Sequence, residues 1–175
     1  TLPGSGHYSR AEYIALLRHA AERHIEVIPE IEIPGHARAA VRAMETRALR
    51  LSRLGRPHAD RYRLNDPQDR SVYRSPQLHR DHVIDTGLES TYTFIGHVVA
   101  EVAALHREAG VPLRRLHVGA DELARGAWQG SPASQKAMQR LGLDSTEALW
   151  DHFYGRVEAI LRRHRLTAAG WEELG

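Results

Sequence analysis

Residues 117–122 read His-Val-Gly-Ala-Asp-Glu, so Asp121 and Glu122 are like charges in neighbouring positions just past a short apolar run. Adjacent residues of a regular strand point to opposite faces, so both carboxyl groups can reach one substrate only if the strand breaks at them. Gly119 and Ala120 make such a break cheap. Even then the two groups stand side by side instead of flanking a bond from both sides, which suggests two different jobs. One can act as a proton donor while the other stays ionised and orients a substrate dipole. Two further segments have the same character: Glu30 to His36, in which Pro-Gly precedes a histidine, and Trp171 with Glu172.

The elements that must position these residues alternate in type. Ser9 and Glu12 have capping-box spacing, and Tyr13, Ile14, Leu16, Leu17, Ala20 and Ala21 recur at helical intervals, which predicts a helix over about 9–24. The β-branched run 25–28 predicts a buried strand, ending in an irregular Pro- and Gly-bearing loop at His36. A second helix is expected over about 37–54. Residues 55–89 lack clear periodicity, and a connection that long is usually functional or an insertion. Phe94, Ile95, Val98, Val99, Val102 and Leu105 mark a helix over about 90–109, stopped by Gly110 and Pro112. A strand containing Leu116 to Gly119 follows. Ser131-Pro132 starts a short helix, and Asp144, Ser145 and Glu147 start a longer one with Leu149, Phe153, Val157, Ile160 and Leu161 inward. Residues 166–171 read as a third strand.

This order calls for an α/β fold with a parallel sheet covered by helices. In such sheets reactive residues gather at the carboxyl ends of the strands, where all three segments above fall. A closed (β/α)8 barrel needs roughly 250 residues, so within a barrel these 175 residues supply only a middle portion. A small doubly wound sheet is the alternative, although no Gly-x-Gly-x-x-Gly and no P-loop follows a strand.

Composition bounds the rest. The formal charge of +2 combines one lysine, Lys136, with many arginines, and acidic residues interleave with them, so nothing resembles a nucleic-acid-binding stripe. No apolar run is long enough to span a bilayer. The chain has no cysteine, hence no disulfide and no thiolate metal site. The first ten residues carry no signal-peptide pattern and read as mid-protein sequence, and the compartment stays open.

Taken together, the segments resemble a family. The stretch 117–122 resembles the His-x-Gly-Gly-Asp-Glu signature of family 20 glycoside hydrolases, the β-N-acetylhexosaminidases, and VIPEIEIPGHARAA (27–40) resembles their Val-Ile-Pro-Glu-Ile-Asp-x-Pro-Gly-His stretch. YSRAEYIALLRHAAERHIEVIPE, DPQDRSVYRSPQ, LESTYTFI, GAW and GWEE follow as similar blocks in the same order, so the likeness covers nearly the whole chain. It implies part of a (β/α)8 (TIM-barrel) catalytic domain over residues 1–175, about strands three to five with their helices. It also implies retaining hydrolysis of terminal β-linked N-acetylglucosamine or N-acetylgalactosamine in glycans, without a cofactor or metal. The family is a substrate-assisted exception to the two-carboxylate rule. By that resemblance Glu122 is the general acid/base and Asp121 holds the 2-acetamido group whose carbonyl attacks the anomeric carbon. His36 hydrogen-bonds the acid/base, and Trp171 walls the acetamido pocket. His117 and Trp128 are supports.

Departures are Ala120 where glycine is commoner, which adds only a methyl group near the pair and is expected to leave activity intact; Glu32 where the family has aspartate; and His82 and Asp85 in place of its asparagines. The family's arginine on the first strand and the aspartate behind His36 have no counterpart, which implies that this piece needs the remaining barrel strands of a parent chain and is inactive alone. Two rivals stand beside this reading. One is a metal-dependent barrel hydrolase with His36, His117, Asp121 and Glu122 around zinc or manganese, against which no His-x-His pair occurs at a strand end. The other is a non-catalytic sugar-binding segment.

Overall fold

A computed structural model describes residues 6–171. Ser9 caps the first helix with the reciprocal bonds its spacing predicts: its hydroxyl accepts from the Glu12 amide while the Glu12 carboxylate accepts from the Ser9 amide at 2.7 Å. This helix, α1, runs Arg10–Ala21 and packs Ile14 and Leu17 against Ala109. Next come β1 (Glu30–Ile33), α2 (Arg38–Arg53), α3 (Glu89–Ala109), β2 (Arg115–Gly119), α4 (Pro132–Leu141), α5 (Thr146–Arg163) and β3 (Thr167–Ala169). The three strands form one parallel sheet in the order β1-β2-β3. Each crossover carries helices, as parallel pairing requires. Among the described residues the outer edges of β1 and β3 have no neighbour.

The expected fold class thus appears as a small parallel α/β sheet, with one element displaced. The β-branched run 25–28 is not the strand. Pairing with β2 starts at Glu30 opposite His117, the first bond being from the His117 amide to the Pro29 carbonyl, and Ile25 and Ile28 remain largely exposed at 58% and 38%. β propensity marks a residue that suits a pleated surface, but a strand needs a partner, and β2 supplies one only from Glu30 onward.

The main core lies between the sheet and the helices α3 and α5. It joins Leu116 and Val118 of β2 with Ile95 and Val99 of α3 and with Phe153, Val157 and Leu161 of α5. All five α5 residues expected to face inward are buried. Ser131 and Ser145 cap α4 and α5 through their hydroxyls, with Pro132 at the first turn of α4.

The long connection 54–88 contains no regular element, yet it is firmly docked. Asp85, buried, accepts from the hydroxyls of Ser131 and Ser134 and from the Gly87 amide. Burial pushes its carboxyl pKa up, and those hydrogen bonds oppose the shift. Trp128, 2% exposed, donates its indole N–H to the Ile84 carbonyl at 2.9 Å. Gly87 passes so close to α4 that a Cβ there would meet the Ala133 and Ser134 backbone at 2.5 Å. Gly87→Ala should therefore cost about 1–3 kcal/mol, the range for overpacking against atoms that cannot swing aside. Equilibrium denaturation measures it, and an unchanged midpoint would show that α4 yields at this contact.

Candidate active site

The strand β2 ends at Gly119, and the chain then departs from strand geometry. Gly119, Ala120 and Glu122 have φ of 69°, 77° and 50°, all in the left-handed region. Only glycine enters that region freely; for Ala120 and Glu122 the cost is roughly 1–2 kcal/mol each. This corrects the expectation for Ala120. Its methyl group is not merely extra bulk but imposes backbone strain, partly offset because the residue is buried at 1% exposure in the core. Gly119 is required twice over, since a Cβ there would lie 2.0 Å from Oε2 of Glu32.

The break brings Asp121 and Glu122 to the same side. His36 Nε2 stands 3.6 Å from Oδ2 of Asp121 and 3.3 Å from Oε2 of Glu122. His36 is itself at φ 48°, so the loop leaving β1 also passes through the left-handed region. The His36 backbone amide donates to Nδ1 of His82 at 3.1 Å. Burial lowers the His82 pKa, as do the neighbouring His36 and His79, so this ring stays neutral and can accept that bond. Gln77 comes to 3.5 Å from Glu122 Oε2. Beyond Glu122 an open groove of about 560 Å³ lies between Ala120 and Leu123 on one side and Thr146, Trp150 and Asp151 on the other. That size suits a small-molecule ligand.

Asp121 has two different oxygens. Oδ2 faces His36, whereas Oδ1 is buried with no hydrogen-bond partner among the described residues. A buried acceptor left unpaired costs about 1–3 kcal/mol, a cost the rest of the structure has to offset.

Trp171 lies beside this group, not within it. It is half exposed, its backbone amide donates to the Gly119 carbonyl at 2.8 Å, and its indole N–H donates to Glu30 Oε1 at 3.1 Å. Its ring meets His117 edge to face, with centroids 4.8 Å apart. Glu172, expected beside it, lies outside the described residues. His117 pairs with Glu30 at 2.9 Å, so the four-residue metal set is not assembled. Among the described residues His36, Asp121 and Glu122 alone have ligand atoms within 4.8 Å of one another and could each offer one to a divalent cation.

Three neighbours of the site were given no chemical role from the sequence. Tyr154, on α5, donates its hydroxyl to the Ile33 carbonyl at 2.9 Å, and burial raises its phenol pKa, with Asp121 and Glu32 adding to the shift. Glu30 and Glu32, two residues apart in a stretch of β1 whose register is irregular, meet through their side chains. Burial raises the Glu32 pKa to about 7, with Asp121 and Glu30 adding to it. The crowding with Asp121 depends on pairing across the sheet.

A parallel sheet that gathers a carboxylate pair and a histidine at the carboxyl ends of two strands defines an α/β protein with a hydrolase-like acid/base site. The chain belongs to glycosyl hydrolase family 20, whose catalytic-domain model matches residues 2–175. Beta-hexosaminidase B of Pseudoalteromonas piscicida is 42% identical over 170 residues, covering 97% of this chain and 22% of that protein. N,N'-diacetylchitobiase of Vibrio harveyi is 48% identical over 121 residues, 68% of this chain and 14% of the relative. A solved structure of the Vibrio harveyi GH20 exo beta-N-acetylglucosaminidase in complex with N-acetylglucosamine superposes with a TM-score of 0.79 at 36% identity, over 97% of this chain and 23% of that one. This chain thus spans roughly a fifth of the length of such relatives.

The Glu32 shift has a sign that can be checked. Its folded pKa lies above the unfolded value of 4.5, so its contribution to stability is fully present below pH 4.5 and is lost as pH rises through about 7. Glu32→Gln should flatten the fall in melting temperature between pH 4.5 and 7 relative to the parent. Parallel melting curves for the two proteins would remove the perturbed proton from the site.

Proposed function

We propose that this chain is part of the catalytic domain of a β-N-acetylhexosaminidase that removes terminal non-reducing N-acetylglucosamine or N-acetylgalactosamine from glycans with retention. Its strands β1, β2 and β3 correspond to about strands three to five of a (β/α)8 barrel, and the remaining strands of a parent chain cover the open edges of the sheet. By itself this piece is inactive, because the substrate-binding arginine and the partner expected behind His36 belong to the missing strands. The observation that carries the reading is the convergence of Asp121 and Glu122 on His36 Nε2 where the chain leaves β1 and β2. A carboxylate acceptor there suits an amide N–H, which the 2-acetamido group supplies.

The chemistry follows from that contact. With the acetamide N–H held by Asp121, its carbonyl oxygen attacks the anomeric carbon from one face while the glycosidic C–O bond breaks on the other. Glu122 gives its proton to the departing oxygen. Positive charge spreads over the oxazolinium ring, and the Asp121 carboxylate stabilises it. Glu122, now ionised, takes a proton from water, which attacks the same carbon and reopens the ring, so two inversions give net retention. His36, within reach of both carboxylates, orients them.

The full-length enzyme should hydrolyse a chromogenic N-acetyl-β-glucosaminide and leave the matching plain β-glucoside nearly untouched. Equal rates on the two would exclude participation by the acetamide. Asp121→Asn keeps the size of the side chain but loses its charge, and should lower kcat by about 10²-fold or more, the scale of one preorganised electrostatic contact. A near-normal rate would take Asp121 out of the reaction. Activity that is unchanged after exhaustive chelation is the expected result, and its loss would instead favour a cation held by His36, Asp121 and Glu122.

A further inference from the structure

One carboxylate that the reaction above does not use ties the two outer strands together. Glu30, at the start of β1, places Oε1 3.1 Å from the indole nitrogen of Trp171 and 2.9 Å from Nδ1 of His117. Since β1 and β3 are not neighbours in the sheet, this contact reaches across β2. His117 Nδ1 also lies 3.2 Å from the Gly119 amide. One ring nitrogen cannot both accept and donate, and the shorter contact, to a carboxylate, is the stronger, so Nδ1 carries the proton and points it at Glu30. Two donors, from an indole and an imidazole whose rings meet edge to face, converge on a single oxygen.

Trp171 needs such an anchor. It follows a strand of only three residues and is 51% exposed, so packing alone does not fix its ring. The backbone bond to Gly119 holds its Cα, and the bond to Glu30 sets the plane of the indole.

We propose that Glu30 is a positioning residue that locks the plane of Trp171 and thereby sets how large an N-acyl group the site accepts. The inference rests on the reading of Trp171 as a wall of the acetamido pocket. An indole held by its N–H presents its face in one fixed orientation to an N-acyl group lying against it. Once released, the ring can turn, and the wall recedes.

The test uses the full-length enzyme and 4-nitrophenyl glycosides carrying N-acetyl or N-butanoyl groups, with kcat and KM measured for both. Glu30→Ala should lower the acetyl-to-butanoyl ratio of kcat/KM about tenfold, the scale of one hydrogen bond to a charged group. Glu30→Gln keeps an acceptor oxygen and should restore most of that ratio. Trp171→Phe, which lacks the N–H, should lower the ratio too, and combining it with Glu30→Ala should add little. An unchanged ratio in Glu30→Ala, or fully additive losses in the double variant, overturns the proposal. Should Glu30→Ala fail to fold, Trp171→Phe decides, because an unchanged ratio in that variant also overturns it. A parent enzyme that cleaves the plain glucoside as fast as the N-acetyl compound would instead overturn the reading of the function and leave the Glu30 contact as pure scaffold.

Discussion

Everything at this site depends on a left-handed break in the chain just after β2. A regular strand would send Asp121 and Glu122 to opposite faces of the sheet. Positive φ at Gly119, Ala120 and Glu122 turns both carboxylates toward His36 instead. Two non-glycine residues in that region cost energy that has to be recovered elsewhere, and the buried core around Leu116, Val118 and Phe153 is the natural source. His36, also left-handed, comes from the loop after the neighbouring strand, so the site is built where two irregular loops leave two adjacent parallel strands.

The second constraint is charge. Glu32 lies near enough to Glu30 and Asp121 for their charges to act on it, Asp121 adjoins Glu122, and the local answer to this repulsion is specific to each. Glu30 receives two hydrogen-bond donors, Asp121 and Glu122 face an imidazole, and Glu32 holds its proton up to about pH 7. Gly119 makes room for the Glu32 carboxyl where any side chain would strike it. The same glycine therefore serves both the turn and the crowding.

Much of this was legible in the sequence. Capping residues and apolar periodicity located α1, α3, α4 and α5, because those signals are local. The Asp-Glu pair, His36 and Trp171 could be picked out because each falls just past a strand, and the break at Gly119 could be inferred from the demand that neighbouring acids share a face. Other features depend on what lies across space. The first strand was expected at 25–28, yet pairing begins at Glu30, since β2 decides where β1 can bond. Ala120 gave no hint of its strain, which is a property of φ and not of residue type. Glu30, Glu32 and Tyr154 have no distinctive spacing, and their roles arise from Trp171, Asp121 and Ile33, each contributed by a different segment.

The central claim is that neighbouring acids divide the work, one holding the substrate's amide and the other moving a proton. A crystal structure of the full-length enzyme with a stable thiazoline mimic of the cyclised sugar tests it most directly. The account predicts an Asp121 oxygen within hydrogen-bond distance of the ring nitrogen and a Glu122 oxygen on the leaving-group face of the anomeric carbon. An Asp121 side chain turned away from the bound ring, or Glu122 on the face that the ring sulfur occupies, would contradict it.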